Sequence, residues 1–236
     1  TLKQLFEVGV QPDMVVFTND DDGQILTANE GEPRDGYTGA VDPKGSISVI
    51  NTKTNKAKTV DFTAFDSQRD ALIEKGIVLK KGVLPSTDLE PEYIAVSDSK
   101  AYITLQEANA IAKLDLNSLE IEDIYSVGFE DYSKIAIDID KKDEKYNAQT
   151  YDSLKGIRMP DAISVYTVDG IDYLITANEG DSRDWNGYSN EIEVNFGKGK
   201  TSPTGKITAD NSGLTGKVTF FDTSDYDGLN NENDYL

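Results

Sequence analysis

Pro12-Asp13-Met14-Val15-Val16-Phe17-Thr18 leads into Ile25-Leu26-Thr27-Ala28-Asn29-Glu30-Gly31-Glu32-Pro33-Arg34-Asp35. The same phrase returns as Pro160-Asp161-Ala162-Ile163-Ser164-Val165-Tyr166, followed by Leu174-Ile175-Thr176-Ala177-Asn178-Glu179-Gly180-Asp181-Ser182-Arg183-Asp184. Between them, Pro91-Glu92-Tyr93-Ile94-Ala95-Val96-Ser97 runs on to Tyr102-Ile103-Thr104-Leu105-Gln106-Glu107-Ala108-Asn109. The repeated Glu follows its Pro by 18, 16 and 19 positions in the three copies. Self-similarity at nearly constant spacing marks a repeated supersecondary unit, so the repeat sets the fold.

Each copy reads as short strands parted by polar turns. In the first, Met14–Thr18 and Gln24–Asn29 flank the turn residues 19–23, and Ser46–Ile50 and Lys58–Phe62 flank residues 51–56. The second gives Tyr93–Ser97, Ala101–Gln106, Ala110–Leu116 and Ile121–Val127. The third gives Ala162–Val168, Tyr173–Ala177 and Lys217–Asp222. Leu2–Val8 reads as an outer strand of a preceding unit, and Ser67–Lys75 as a short helix.

Four consecutive antiparallel strands form the blade of a β-propeller. The expected fold is therefore all-β, an incomplete propeller portion of about three blades where closed rings use about four to eight. The blades fall at about 12–65, 91–128 and 160–236, with inserts at 66–84, 130–156 and 181–216. The expected partner is the remaining blades or a companion chain. A β-sandwich or small barrel of about twelve strands is the alternative the same segments allow.

Composition closes off several chemistries. With 23 basic and 43 acidic residues the net charge is −20, so a nucleic-acid backbone is an unfavourable partner. The chain has no Cys and no His. Ser-His-Asp and Cys-His nucleophiles, thiolate or imidazole zinc sites and disulfides are excluded with them. A bound metal must have oxygen ligands: Ca²⁺ first, with Mg²⁺ or Mn²⁺ as further choices. No apolar run is long enough to span a membrane.

In a blade numbered outward from the axis, the connection into its first strand and the one leaving its second emerge on one face. Asp13, Glu92 and Asp161 precede first strands, and Glu30, Glu107 and Glu179 close second strands. These six carboxylates are the expected metal ligands. Arg34 and Arg183, each four residues past a repeated Glu, supply counter-charge. Glu30, Glu179, Arg34 and Arg183 are also the catalytic candidates, should the face hydrolyse phosphoesters. The alternative for each acid is a structural cap on loop amides. The Asp- and Asn-rich run 222–234 is a second, weaker calcium candidate through Asp225 and Asp227.

The phrases Pro-Asp-Met, Thr-Ala-Asn-Glu-Gly-Glu-Pro-Arg-Asp, Leu89-Glu90-Pro91-Glu92-Tyr93, Leu105-Gln106-Glu107-Ala108-Asn109 and Met159-Pro160-Asp161 resemble the choice-of-anchor I domain, from about Val8 to Asp227. That resemblance implies a β-propeller of bacterial secreted or surface-anchored proteins, similar to mesenchyme-specific cell-surface glycoproteins. It implies an exported, extracellular location and a longer parent protein. Members labelled alkaline phosphatase-like add a second functional expectation, a metal-dependent phosphoesterase. The first is an acidic, cation-binding face for binding or adhesion. The matching ligand is a phosphate-bearing small molecule or a surface polymer.

Overall fold

The structure is a computed structural model and describes residues 2–18, 23–33 and 41–236. Its first sheet is β1 (Pro12–Phe17), β2 (Gln24–Asn29), β3 (Ser46–Asn51) and β4 (Lys56–Asp61), paired antiparallel in chain order. A 3-10 turn (Thr63–Gln68), α1 (Arg69–Glu74), β5 (Leu79–Lys80) and α2 (Pro85–Asp88) lead to the second sheet. That sheet repeats the plan with β6 (Pro91–Ser97), β7 (Lys100–Leu105), β8 (Ala110–Asp115) and β9 (Glu120–Ser126).

Beyond it come β10 (Phe129–Asp131), β11 (Leu154–Ile157), then β12 (Pro160–Val168) and β13 (Ile171–Asn178), which pair with each other. The chain continues through β14 (Asp184–Trp185), β15 (Tyr188–Ser189), β16 (Glu191–Asn195), α3 (Ala209–Ser212) and β17 (Lys217–Phe221). It ends with β18 (Tyr226–Asp227), paired with β5, and β19 (Asp234–Tyr235), parallel to β11.

The alternation of the repeats dictates the packing. Leu26 and Ala28 on β2, Ile47 and Val49 on β3, and Ile94, Ile103, Leu105 and Leu114 of the second sheet form one buried core. The first strands β1, β6 and β12 lie side by side, with β6 in the middle. Ser97 Oγ and Tyr102 OH both donate to Asp172 at 2.9 Å, tying the second sheet to β13. A second core under β16 and β17 gathers Leu154, Val194, Phe196, Val218 and Phe220.

The sheets are thus predominantly antiparallel and successive, and they close into no barrel or ring among the described residues. Three expectations need correcting. Leu2–Val8, expected as an outer strand of a preceding unit, pairs with no strand among the described residues. The insert 181–216 contains β14, β15, β16 and α3, and 130–156 contributes β10 and most of β11. Both inserts fold because Phe196, Leu154 and Ile139 bury against β17 rather than facing water. In the third repeat, β17 pairs with β16 rather than β13.

Candidate functional site

A shared backbone irregularity sets the acidic face. Each first strand carries its bulge at the Pro-acid pair: between Pro12 and Met14, Pro91 and Ile94, and Pro160 and Ile163. A bulge breaks the strict alternation of side chains and re-aims the residue within it. Asp13, Glu92 and Asp161 are those residues, so three sheets turn an acid at the same place.

The ends of the second strands answer them. Gly31 and Gly180 take left-handed φ values of 77° and 62°, which ends β2 and β13 with the preceding Glu beside the bulge. In the second copy Ala108 replaces the glycine and Asn109 carries the positive φ of 52° instead. Asn109 is fully buried, donating to Gly128 O and accepting from Met159 N at 2.9 Å each.

The carboxylates share one electrostatic environment. Glu92 is 7% exposed, and burial, then Glu107, Glu30, Asp161 and Asp13 in that order, push its carboxyl up to about 11. Burial and the charges of Glu32, Asp13 and Glu107 raise Glu30 to about 7, against the hydrogen bond from Gln11. Gln11 Nε2 donates to both Glu30 and Glu32. Asp13 is raised by burial and by Glu32. Gln106 Nε2 donates to Glu179 Oε2 at 3.2 Å, bringing the sixth acid to the same edge.

Glu107 has the clearest demand for a further partner. It is 8% exposed, and its Oε2 is buried without a hydrogen bond. Burial raises its carboxyl, and the Arg183 charge offsets part of that. A buried carboxylate oxygen without a donor carries a desolvation penalty that no hydrogen bond offsets, and a proton or a cation would relieve it. The donor set is all oxygen and suits a hard cation. Among the described residues no three acids stand gathered as a ready ligand cage.

Arg183 is 2% exposed, and its guanidinium meets Asp88 Oδ1 at 2.6 Å and Glu90 Oε2 at 3.6 Å. It is therefore turned toward buried acids rather than presented to solvent. Arg34 lies outside the described residues, as do residues 19–22 and their turn. Asp225 and Asp227 face Lys80 at 3.4 Å and Arg69 at 2.9 Å, so both carboxylates already have cationic neighbours.

A family model for the choice-of-anchor I domain matches residues 1–235. The chain belongs to the choice-of-anchor I family. No curated protein matches it. The family points to a surface-associated bacterial domain, and no described helix is long and apolar enough to cross a membrane.

In this choice-of-anchor I chain, the repeat singles out Asp13, Glu30, Glu92, Glu107, Asp161 and Glu179 but not the other polar groups whose charges and hydrogen bonds act on them. Gln11 and Glu32 act on Glu30, and the buried Glu90, beside Asp88 and Arg183, feels the charge of Glu107. Burial, ahead of the Asp88 charge, raises Asp42 to about 6, with Arg183 and Lys80 opposing. One signal was present: Asp88-Leu89-Glu90-Pro91-Glu92 alternates acid and apolar, the period that puts acids on one side of an extended chain.

Proposed function

We propose that this chain is part of a surface-associated β-propeller whose acidic face takes up a divalent cation, calcium first. The propeller reading is supported by the two complete four-stranded sheets in chain order and by the adjacency of β1, β6 and β12. The cation reading is carried by the buried, unpartnered Glu107 Oε2 beside the Glu92 carboxyl, which faces acids from all three sheets.

A divalent ion would replace several protons as the counter-charge. In this reading the buried Glu107 and Glu92 and the half-buried Glu30 hold the ion, and Asp13, Asp161 and Glu179 are the further acids of the face. Such an ion retains coordination positions toward solvent, which suits bridging to a phosphate- or carboxylate-bearing surface polymer. That bridging is the adhesive role proposed for the face.

The test is titration calorimetry of chelator-treated protein with Ca²⁺, Mg²⁺ and Mn²⁺, alongside thermal melts. A ligand that binds only the folded state adds about 2.7 kcal/mol at a hundredfold excess over Kd. Heat of binding and a raised Tm are expected with calcium, and neither with Glu107→Gln. Absence of both in the unaltered protein overturns the reading.

A further inference from the structure

The outer edges of the sheets are not alike. β4, the last strand of the first sheet, presents the exposed Lys56 and Lys58. β9, the last of the second, carries the exposed Glu120 and a bulge at Glu122. Charges and bulges of this kind stop an edge from pairing with another chain. β17 runs against β16 without a bulge, from Asn195↔Lys217 to Glu191↔Phe221, and no strand lies along its other side among the described residues. Its one charged residue, Lys217, is paired with Glu193.

The phase of that ladder tells which backbone groups face outward. Asp222 N donates to Asn190 O at 2.7 Å, and Phe196 N to Gly216 O at 2.9 Å. In an antiparallel pair, alternate residues turn both backbone groups toward the partner strand. Gly216, Val218, Phe220 and Asp222 therefore face β16, and the N–H and C=O groups of Thr219 and Phe221 face the open side. Among the described residues no backbone group of another element bonds them there.

That side opens on a cavity of about 380 Å³, bounded by β17, by Gly180, Asp181 and Ser182 after β13, and by Asp138, Ile139 and Lys141 of the insert. Its volume falls within the range of about 300–1,000 Å³ typical of ligand pockets. Val218, Thr219, Phe220 and Phe221 all line it, so β17 meets the space with its edge and not with one face.

The lining has two chemistries. Ile139, Val218 and Phe220 of the second core, with Leu236 packed against them, make an apolar part. Asp138, Asp181 and Glu191 add three carboxylates against one cation, Lys141. Each carboxylate accepts from a neutral donor: Asp138 from Asn147 N at 3.0 Å, Asp181 from Ser182 N at 2.7 Å, and Glu191 from Ser182 Oγ at 2.8 Å.

We infer that this cleft takes an extended basic peptide segment, which adds as a strand to the open edge of β17. In strand addition, main-chain hydrogen bonds give affinity and side-chain contacts give specificity. Thr219 and Phe221 provide the ladder. A segment that mixes apolar side chains with Lys or Arg fits both parts of the lining. The net charge of −20 draws in a cationic segment and repels an acidic one, a second copy of this chain included. None of the six repeated acids lines this cavity, so the inference stands apart from cation binding.

The probe is a capped seven-residue peptide alternating valine and lysine, followed by fluorescence anisotropy in chelator at about 150 mM salt, where surface charge is screened. Saturable one-to-one binding is expected. Methylating every amide nitrogen of the peptide keeps its charge and removes its ladder donors, and is expected to weaken binding at least about tenfold. Equal binding by the methylated peptide overturns the inference, because charge alone then holds it, and absence of binding overturns it too. Asp181→Asn with Glu191→Gln is expected to weaken binding by a similar factor; no change places the peptide elsewhere. Thr219→Pro removes one outward N–H and no bond to β16, a position where an edge strand tolerates proline, and is expected to act likewise. Amide exchange on the unaltered protein reads the edge whether or not these variants fold. The amides of Thr219 and Phe221 are expected to exchange freely without peptide and to be protected at saturation. Protection before peptide is added overturns the inference, since the chain itself or a second copy then fills the edge. Unchanged exchange at saturation overturns it as well.

Discussion

Arg183 Nη1 donates to Asp88 Oδ1 at 2.6 Å across 95 positions of sequence, and both side chains are 1% exposed. The same guanidinium donates through Nη2 to Asp88 O at 3.1 Å, while Asp88 Oδ2 accepts from Lys80 N at 2.7 Å. This ion pair ties the segment after β13 to the one before β6, directly behind the acidic face.

Removing the arginine leaves Asp88 and Glu90 buried without their counter-charge. Breaking a buried pair in this way costs about 3–5 kcal/mol. Arg183→Ala is therefore expected to lower the urea unfolding free energy by that amount. A loss under about 1 kcal/mol would show that the pair is not a structural tie.

The acid cluster sets a pH dependence of definite sign. Glu30 and Glu92, ordinarily near 4.5, are raised to about 7 and about 11 in the folded chain. Below 4.5 both states hold these protons. Above it the unfolded chain releases them first, so stability falls as pH rises toward the folded values. Asp115 and Asp131, held low by lysines, act only in more acidic solution. Without divalent cation, Tm is expected to drop between about pH 5 and pH 8, and Glu92→Gln is expected to flatten that slope. An equal slope in the variant argues against the burial of charge at Glu92.

Calcium should act against this trend. Saturating Ca²⁺ is expected to raise Tm more at about pH 8 than at about pH 5, because protons compete for the same oxygens. Differential scanning calorimetry at both pH values reads the difference. An equal rise at both would place the ion elsewhere.

Gly45 sits where the first two sheets meet. A Cβ there would collide with Leu89 O and stand 2.6 Å from Pro91 Cδ. Overpacking of this kind costs about 1–3 kcal/mol. Gly45→Ala is expected to lower the midpoint of urea unfolding accordingly. An unchanged midpoint would mean that the sheets separate freely at this joint.

The strands of the first two sheets could be read from the chain because their apolar positions alternate and turn residues bound them. Their observed limits differ from that reading by one or two residues, as at β3 and β8. The expectation failed where short segments depend on distant partners. β5 is two residues long and exists as a strand through β18, nearly 150 positions later in the chain. β16 was hidden in a polar stretch, because Glu191-Ile192-Glu193-Val194-Asn195 becomes a strand only against β17.

The same division runs through the acidic face. Sequence by itself determined which acids recur, since Asp13, Glu92 and Asp161 each follow a Pro and Glu30, Glu107 and Glu179 recur at matched spacing. It also determined the ligand chemistry open to them, because a chain without Cys or His offers a metal only oxygen. Only the tertiary structure decided which of those acids are buried and what their charges meet. Glu107 and Glu179 carry the same repeat position, yet Glu107 is buried and Glu179 exposed. Arg183, expected as a counter-charge to the repeated acids, is enclosed by Asp88 and Glu90. Desolvation depends on what the other sheets place over a side chain, and no local pattern along the chain encodes that.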